Sequence, residues 1–283
     1  MMIVTLAVLS ALTAPPRLSA RVAVVMDLDT DVVLFQRHAE QVHAIASISK
    51  LMALRVVVRR GLDWKGSTTI IKDDVVQTRG GARSRLIIGR SYRNADLVRA
   101  ALLGSDNRSV LALGRSVGLG ADVFAAAMTI EAKGLGLEHT VFADPTGINH
   151  GNRSTGLEVA KILRAVLAMP ELASITRLKK WKTAAKERSG IPLIYRNTNA
   201  LVHKEDREVL AGKTGFNSAA GWCVASAIQL PSGRRVAVVV LGTPTKYTRF
   251  RDSFRLEQWV VKQPWSRPEP VAPPMPKSSA ATP

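Results

Sequence analysis

A chain of 283 residues, 46% hydrophobic and 22% charged, can bury a sizeable core and is too apolar to be a disordered polymer. Its formal charge of +18 implies an anionic partner or anionic surroundings. Cys223 is the single cysteine, which excludes an intramolecular disulfide and leaves stability to the core.

Residues 3–14 form an uncharged apolar run. It falls short of the roughly 20 residues a membrane span needs, but it suits the core of a secretory leader. Leu18-Ser19-Ala20 offers a small-residue cleavage site, so residues 1–20 read as a leader and 21–262 as the folded unit. No lysine or arginine precedes the run, which is atypical for such a segment. Apolar stretches on either side of Thr30 then read as a β-hairpin. From Ser47 the pattern is helical, and 67–72 and 84–89 look strand-like. Helical periodicity dominates 94–104, 107–117, 121–135 and 156–169. Two strands follow at 221–230 and 234–242, joined through Pro231-Ser232-Gly233, and 250–261 reads as a closing helix. Strands at both ends with helices between them predict an α+β fold, an antiparallel sheet completed by the two chain ends. The segment 263–283 holds seven of the fourteen prolines and reads as a disordered tail.

Three short pieces carry the chemistry: Ser47-Ile48-Ser49-Lys50, Ser105-Asp106-Asn107 and Lys213-Thr214-Gly215. Each pattern occurs once, and their order is the one used by serine enzymes that attack D-alanyl-D-alanine peptides and β-lactams. Singly they are weak, since Ser47 or Ser49 could cap a helix, the second piece could cap another, and the third could be a turn preceding a strand. Acyl transfer needs a nucleophile, a base, a proton path and oxyanion donors. Ser47 and Lys50 share a face at a helix start, where the helix dipole disfavours a lysine charge. To act as a base, Lys50 must fall from about 10.4 to about 7–8, at a cost of roughly 3–4 kcal/mol. Burial and a second cation, for which Lys213 is the candidate, both push that way. Gly215 allows close backbone approach.

Other chemistry finds little support. The five histidines form no His-Glu-x-x-His pair and have no cysteine partners, so a metallopeptidase is not expected. There is no Gly-x-Ser-x-Gly elbow and no phosphate-binding loop. Cys223, in an apolar run, reads as a buried strand residue. The basic stretch Arg177, Lys179, Lys180, Lys182, Lys186 and Arg188, with Trp181 among them, reads as a solvated face. It is available to anionic envelope polymers or lipids, and nucleic acid is not expected.

With these motifs, and with the stretches 45–52, 144–149, 195–202, 212–223 and 246–250, the chain resembles the low-molecular-mass penicillin-binding proteins, the D-alanyl-D-alanine peptidases of class S11. Within them it is most similar to endopeptidases of the penicillin-binding protein 7 type. The resemblance implies the serine β-lactamase/transpeptidase fold and a periplasmic or secreted protein, loosely membrane-associated at most. It implies action on peptidoglycan cross-links through a Ser47 acyl-enzyme, with no metal or cofactor and with β-lactams as covalent inhibitors. Lys50 would be the general base, Ser105 would pass the proton to the departing amine, and Asn107 would orient Lys50 and hold the substrate amide. Lys213 and Thr214 would bind the carboxylate beside the scissile bond, while the N–H groups of Ser47 and Phe216 would form the oxyanion hole. The absence of a second β-domain and anchor after the sheet points to the endopeptidase branch. Asn217 departs from the threonine usual in the family. Carboxypeptidase activity is the alternative, and an inactive envelope-binding protein is the reading from a different class. A class A β-lactamase ranks below these because no Glu-x-x-Leu-Asn segment occurs.

Overall fold

The structure, a computed structural model, describes residues 14–185 and 192–263. Most of the leader and tail expectations, with Lys186 and Arg188, lie outside the described residues.

The first hairpin forms where alternation predicts it. β1 (Val22–Asp27) and β2 (Val33–Arg37) pair antiparallel, and the Asp27 carboxylate closes the turn by accepting the N–H groups of Asp29 and Thr30 at 2.9 and 3.0 Å. β3 (His43–Ala44) leads into a 3₁₀ turn, Ala46–Ser49, which runs directly into α1 (Lys50–Arg59). A small outer layer follows, made of β4 (Ser67–Thr69), α2 (Lys72–Val76) and β5 (Ser91–Arg93), with β4 and β5 paired. The strand expected at 84–89 does not form. Side chains occupy its backbone instead: Leu86 N–H donates to Ser84 Oγ, Ile87 N–H to the Tyr92 hydroxyl, and Arg108 donates to Leu86 O. Leu86 is buried while Ile87 and Ile88 are exposed, so one residue of the apolar run serves as an anchor.

The helices α3 (Asn94–Leu103), α4 (Asn107–Ser116) and α5 (Ala121–Gly134) lie where the periodicity predicts. β6 (Arg153–Ser154) pairs with β3, and α6 (Gly156–Leu167) is capped by Thr155, whose side chain accepts the Glu158 N–H at 3.1 Å. Two features lie beyond the periodicity. One is α7 (Pro170–Thr176), with proline in its first turn. The other is a hairpin of β7 (Lys180–Thr183) and β8 (Leu193–Arg196), which takes up the basic stretch. Arg177, Lys179, Lys180 and Lys182 are exposed there. Trp181 turns inward, donating to Asp96 at 2.8 Å beneath the Arg99 guanidinium, so it offers no free ring for stacking on a base.

β9 (Glu208–Asn217), β10 (Gly221–Gln229) and β11 (Arg235–Thr243) precede α8 (Thr248–Val261). Together with the first hairpin they form a five-stranded antiparallel sheet in the order β2-β1-β11-β10-β9. The two-residue strand period divides its side chains between two apolar layers. Val22, Val24 and Met26 join the large cluster with α1, α3 and α6. Ala23 and Val25 face the other way, with Leu256 and Val260 of α8. Ahead of β1, Ser19 and Ala20 donate their N–H groups to the buried Asp252 of α8 at 2.6 and 2.8 Å, which ties the segment of the expected cleavage site to the closing helix. Cys223 is buried on β10, and burial pushes its thiol up to about 12, leaving it an inert apolar residue.

Candidate active site

Ser47 lies on the 3₁₀ turn, one step ahead of the α-helix, and Lys50 is the first residue of α1. In a 3₁₀ turn residues three apart eclipse one another. Lys50 Nζ accordingly sits 2.9 Å from Ser47 Oγ. Neither Ser47 nor Ser49 makes a side-chain cap bond. Lys50 is fully buried and donates to Asn107 Oδ1 at 2.7 Å and to the Thr146 carbonyl at 2.5 Å. Those two acceptors account for both hydrogens of a neutral amine, so its lone pair is left facing the Ser47 hydroxyl. Burial holds Lys50 down to about 7 against the opposing pull of Asp144 and Asp106. Desolvation thus carries the shift, where the sequence suggested a contribution from Lys213.

The second piece links α3 to α4, and Asp106, rather than a serine or asparagine, caps α4 by accepting the Ser109 N–H at 3.1 Å. Ser105 has φ of +57°, a left-handed conformation unusual outside glycine that turns its hydroxyl to Lys213 Nζ at 3.0 Å. Lys213-Thr214-Gly215-Phe216 lies within β9 itself rather than ahead of a strand, where the sequence placed it. β9 is the edge of the sheet, and its pairing with β10 continues through all four residues. Lys213 also donates to the Thr214 carbonyl at 2.9 Å. Burial, then Lys50 and Arg249, push its ammonium well below the ordinary range. Gly215 packs against the turn that carries Ser47: a Cβ there would come within 2.7 Å of Ile45 O and 3.2 Å of Ser47 N. Phe216 is half exposed and stacks on Trp222 at 4.0 Å.

Several contributors lie outside the three motifs, in stretches that carried the resemblance without a role assigned to each residue. The Asp144 carboxylate accepts the N–H groups of Thr146, Gly147 and Asn149 at 2.6, 2.9 and 2.7 Å, a turn that aims the Thr146 carbonyl at Lys50. Gly147 has φ of +85°, and a Cβ on it would lie 2.1 Å from Ala46 O, so only glycine fits. Asp-Pro-Thr-Gly is turn chemistry legible in the sequence; its partner across the fold is not. Asn217 donates to Gly147 O at 3.3 Å and accepts the Ala220 N–H at 2.8 Å, tying the end of β9 to this loop. Arg249 of α8 is buried and donates to Gly215 O and Cys223 O at 3.3 Å each. Its Nε has no partner among the described residues.

Ser49 points away from this cluster. Its Oγ donates to Ala46 O at 2.7 Å and accepts from Asn152 at 2.9 Å. Ser49→Ala is therefore expected to lower stability by about 1–3 kcal/mol and to change the rate of penicillin acylation by less than about tenfold. Thermal melts and acylation kinetics check this, and a loss as deep as that of Ser47→Ala would reverse the assignment of the two serines.

Ser47, Ser105, Asn107, Thr214, Gly215 and Phe216 line one cleft of about 630 Å³, with Arg249 and Trp222 on its wall. Lys50 and Lys213 lie just beneath it through their bonds to Ser47 and Ser105. A model of the D-alanyl-D-alanine carboxypeptidase family, peptidase S11, matches residues 10–245. The chain belongs to the S11 peptidases. This S11 peptidase is 34% identical over 249 residues to the D-alanyl-D-alanine endopeptidase of Escherichia coli K12, a match covering 87% of this chain and 78% of the relative. The D-alanyl-D-alanine endopeptidase of Pseudomonas aeruginosa PAO1 is 32% identical over 238 residues, covering 84% and 76%. The fold is that of the Streptomyces K15 DD-transpeptidase, with a TM-score of 0.81 at 23% identity over 88% of this chain and 99% of that one. The protein is thus an α+β serine D-alanyl-D-alanine peptidase, of a family whose substrate class is peptidoglycan.

Proposed function

We propose that this S11 peptidase is an endopeptidase that cleaves D-alanyl-diaminopimelate cross-links outside the cytoplasmic membrane. One observation carries the chemistry: a buried amine with a pKa of about 7, 2.9 Å from the Ser47 hydroxyl. Ser47 Oγ attacks the D-alanyl carbonyl as its proton passes to Lys50. The oxyanion forms against the N–H groups of Ser47 and Phe216, donors of a kind worth about 3–4 kcal/mol each. Collapse breaks the C–N bond, and Ser105, backed by Lys213 at 3.0 Å, gives its proton to the leaving amine and takes up the one held by Lys50, which returns Lys50 to the neutral amine. Water then hydrolyses the ester with Lys50 again as base, while Asn107 holds both Lys50 and the substrate amide. Lys213, Thr214 and Arg249 bind the carboxylate beside the scissile bond.

In a cross-link, the D-centre that supplies the leaving amine also carries a free carboxylate, which fits that same pocket. The endopeptidase names of the Escherichia coli and Pseudomonas aeruginosa relatives favour the cross-link over a terminal D-alanine. The exposed basic residues of the β7–β8 hairpin suit an envelope of anionic polymers and lipids. Incubation with a purified cross-linked muropeptide dimer and with a pentapeptide monomer, followed by chromatography, tests the reading. Dimer cleavage at the higher kcat/KM is expected. D-Alanine release with the dimer intact would make the enzyme a carboxypeptidase, and no turnover together with no penicillin adduct would make it a binding protein.

A further inference from the structure

Beside the Ser105–Asn107 turn a second groove opens, about 490 Å³ in volume and lined by Arg83, Arg85, Asp106, Tyr195 and Arg196. It shares Gly104 and Thr198 with the catalytic cleft. The shared residues fix its direction. Gly104 precedes Ser105, and Thr198 Oγ1 lies 2.7 Å from Thr214 Oγ1, so the groove continues from the side where the leaving amine and the adjoining carboxylate sit.

Its charge is one-sided. Arg83 and Arg196 are exposed, and neither has an ion pair among the described residues. Arg85 is held in place by a 2.5 Å bond to Ile194 O and by the Tyr195 ring, 4.8 Å away. The one carboxylate lining the groove, Asp106, is 5% exposed and accepts from Ser109 N–H, Ser84 Oγ and the Tyr195 hydroxyl at 3.1, 2.7 and 3.2 Å. Burial and the neighbouring Asp106 push Tyr195 well above the ordinary phenol range, so it stays a donor. Asp106 is therefore spent on holding the segment around Ser84 and strand β8 to the Ser105 turn. That leaves the exposed guanidiniums of Arg83 and Arg196, with the N–H groups of Arg85 that Ile194 does not take, as planar forks suited to carboxylates.

We propose that this groove is a subsite for free carboxylates on the leaving-side peptide of a cross-linked substrate. The inference rests on the endopeptidase reading. A departing D-alanine ends at the Lys213–Thr214 pocket and is too short to enter the groove, whereas a peptide stem bearing further acidic residues continues into it. The groove thereby discriminates between two substrates that present the same scissile bond.

The test uses the full chain and an Arg83→Gln/Arg196→Gln variant, both exposed positions. The substrates are a cross-linked dimer with free stem carboxylates, the same dimer with those carboxylates amidated, and a monomer ending in D-alanyl-D-alanine. We expect KM for the free-acid dimer to rise about tenfold in the variant with kcat within about twofold, and KM for the monomer to hold. For the wild type, amidation should raise KM by a similar factor, and added salt should erode the difference. If the wild type cleaves the dimer and the variant matches it, the groove assignment falls while the endopeptidase reading stands. Equal loss on dimer and monomer would mean damage to the cleft and would also overturn the assignment. A wild type that leaves the dimer intact overturns both.

Discussion

Ser47→Ala is expected to abolish covalent capture of penicillin: intact-protein mass should show a stable adduct on the wild type and none on the variant. The loss in acylation rate should be on the order of 10⁶, as when a nucleophile that works with its base as a unit is removed. The fold should survive. Ser47 is half-buried at the floor of the cleft, and among the described residues its Oγ is bonded only to Lys50, which keeps Asn107 and Thr146. Losing one such bond costs about 1 kcal/mol. An adduct on the variant would move the nucleophile elsewhere. A wild type that neither forms an adduct nor consumes the penicillin would remove the enzymatic reading.

Lys50→Met should lower acylation by about 10²–10⁴, the usual range for a lost general base. Its pH profile separates this from a packing effect. With Lys50 at about 7, the neutral fraction grows nearly tenfold per unit below that value and levels off above about 8. Wild-type acylation should follow that curve, and the variant's residual rate should lack it. A profile with no inflection near neutrality would rule out Lys50 as the base.

The same residue makes an opposite prediction for stability. Holding a lysine near 7 instead of 10.5 costs about 4 kcal/mol at pH 7, at 1.36 kcal/mol per unit. Because the folded pKa is lowered, the unfolded chain binds the extra proton between about 7 and 10.5. The penalty is absent above that window, grows as pH falls through it, and is complete below it. Methionine removes the penalty but leaves Asn107 and Thr146 without their donor, which returns about 1–3 kcal/mol for each buried acceptor. The two effects nearly cancel, so the variant should melt within about 8 °C of the wild type despite its slow acylation, and a fall of more than about 10 °C would contradict this.

How much of the site was legible depended on sequence distance. Ser47 with Lys50, and Ser105 with Asn107, are separated by a single turn of backbone, so their spacing alone argued for shared geometry. That Lys50 would meet Asn107 and Thr146 depends on contacts 57 and 96 residues apart, which no local pattern encodes. Backbone strain was equally silent, since Ala46 and Ser105 adopt positive φ although neither residue type calls for it. Arg249 lay in a stretch that resembled the family, yet nothing in its neighbours says that the closing helix points it at β9. At the level of elements, long amphipathic helices were readable. The apolar run at 86–88 was misleading because only Leu86 is buried. β9 was missed because glycines and buried polar residues interrupt its alternation, and its identity comes from pairing with β10.

The centre of the sheet joins the beginning of the chain to its end, with β1 hydrogen-bonded between β2 and β11. Those partners lie about 200 residues apart in sequence, a closure whose entropy must be met before its contacts form. Until β11 emerges from the ribosome, β1 has one strand neighbour, and the face that carries Ala23 and Val25 lacks the β11 and α8 residues that cover it; a lone hairpin is at best marginally stable in water. A nascent chain therefore cannot lock into the native state partway through synthesis. Commitment to the native sheet waits for its last strand, so the first hairpin must be kept from other partners until β11 and α8 have both been made.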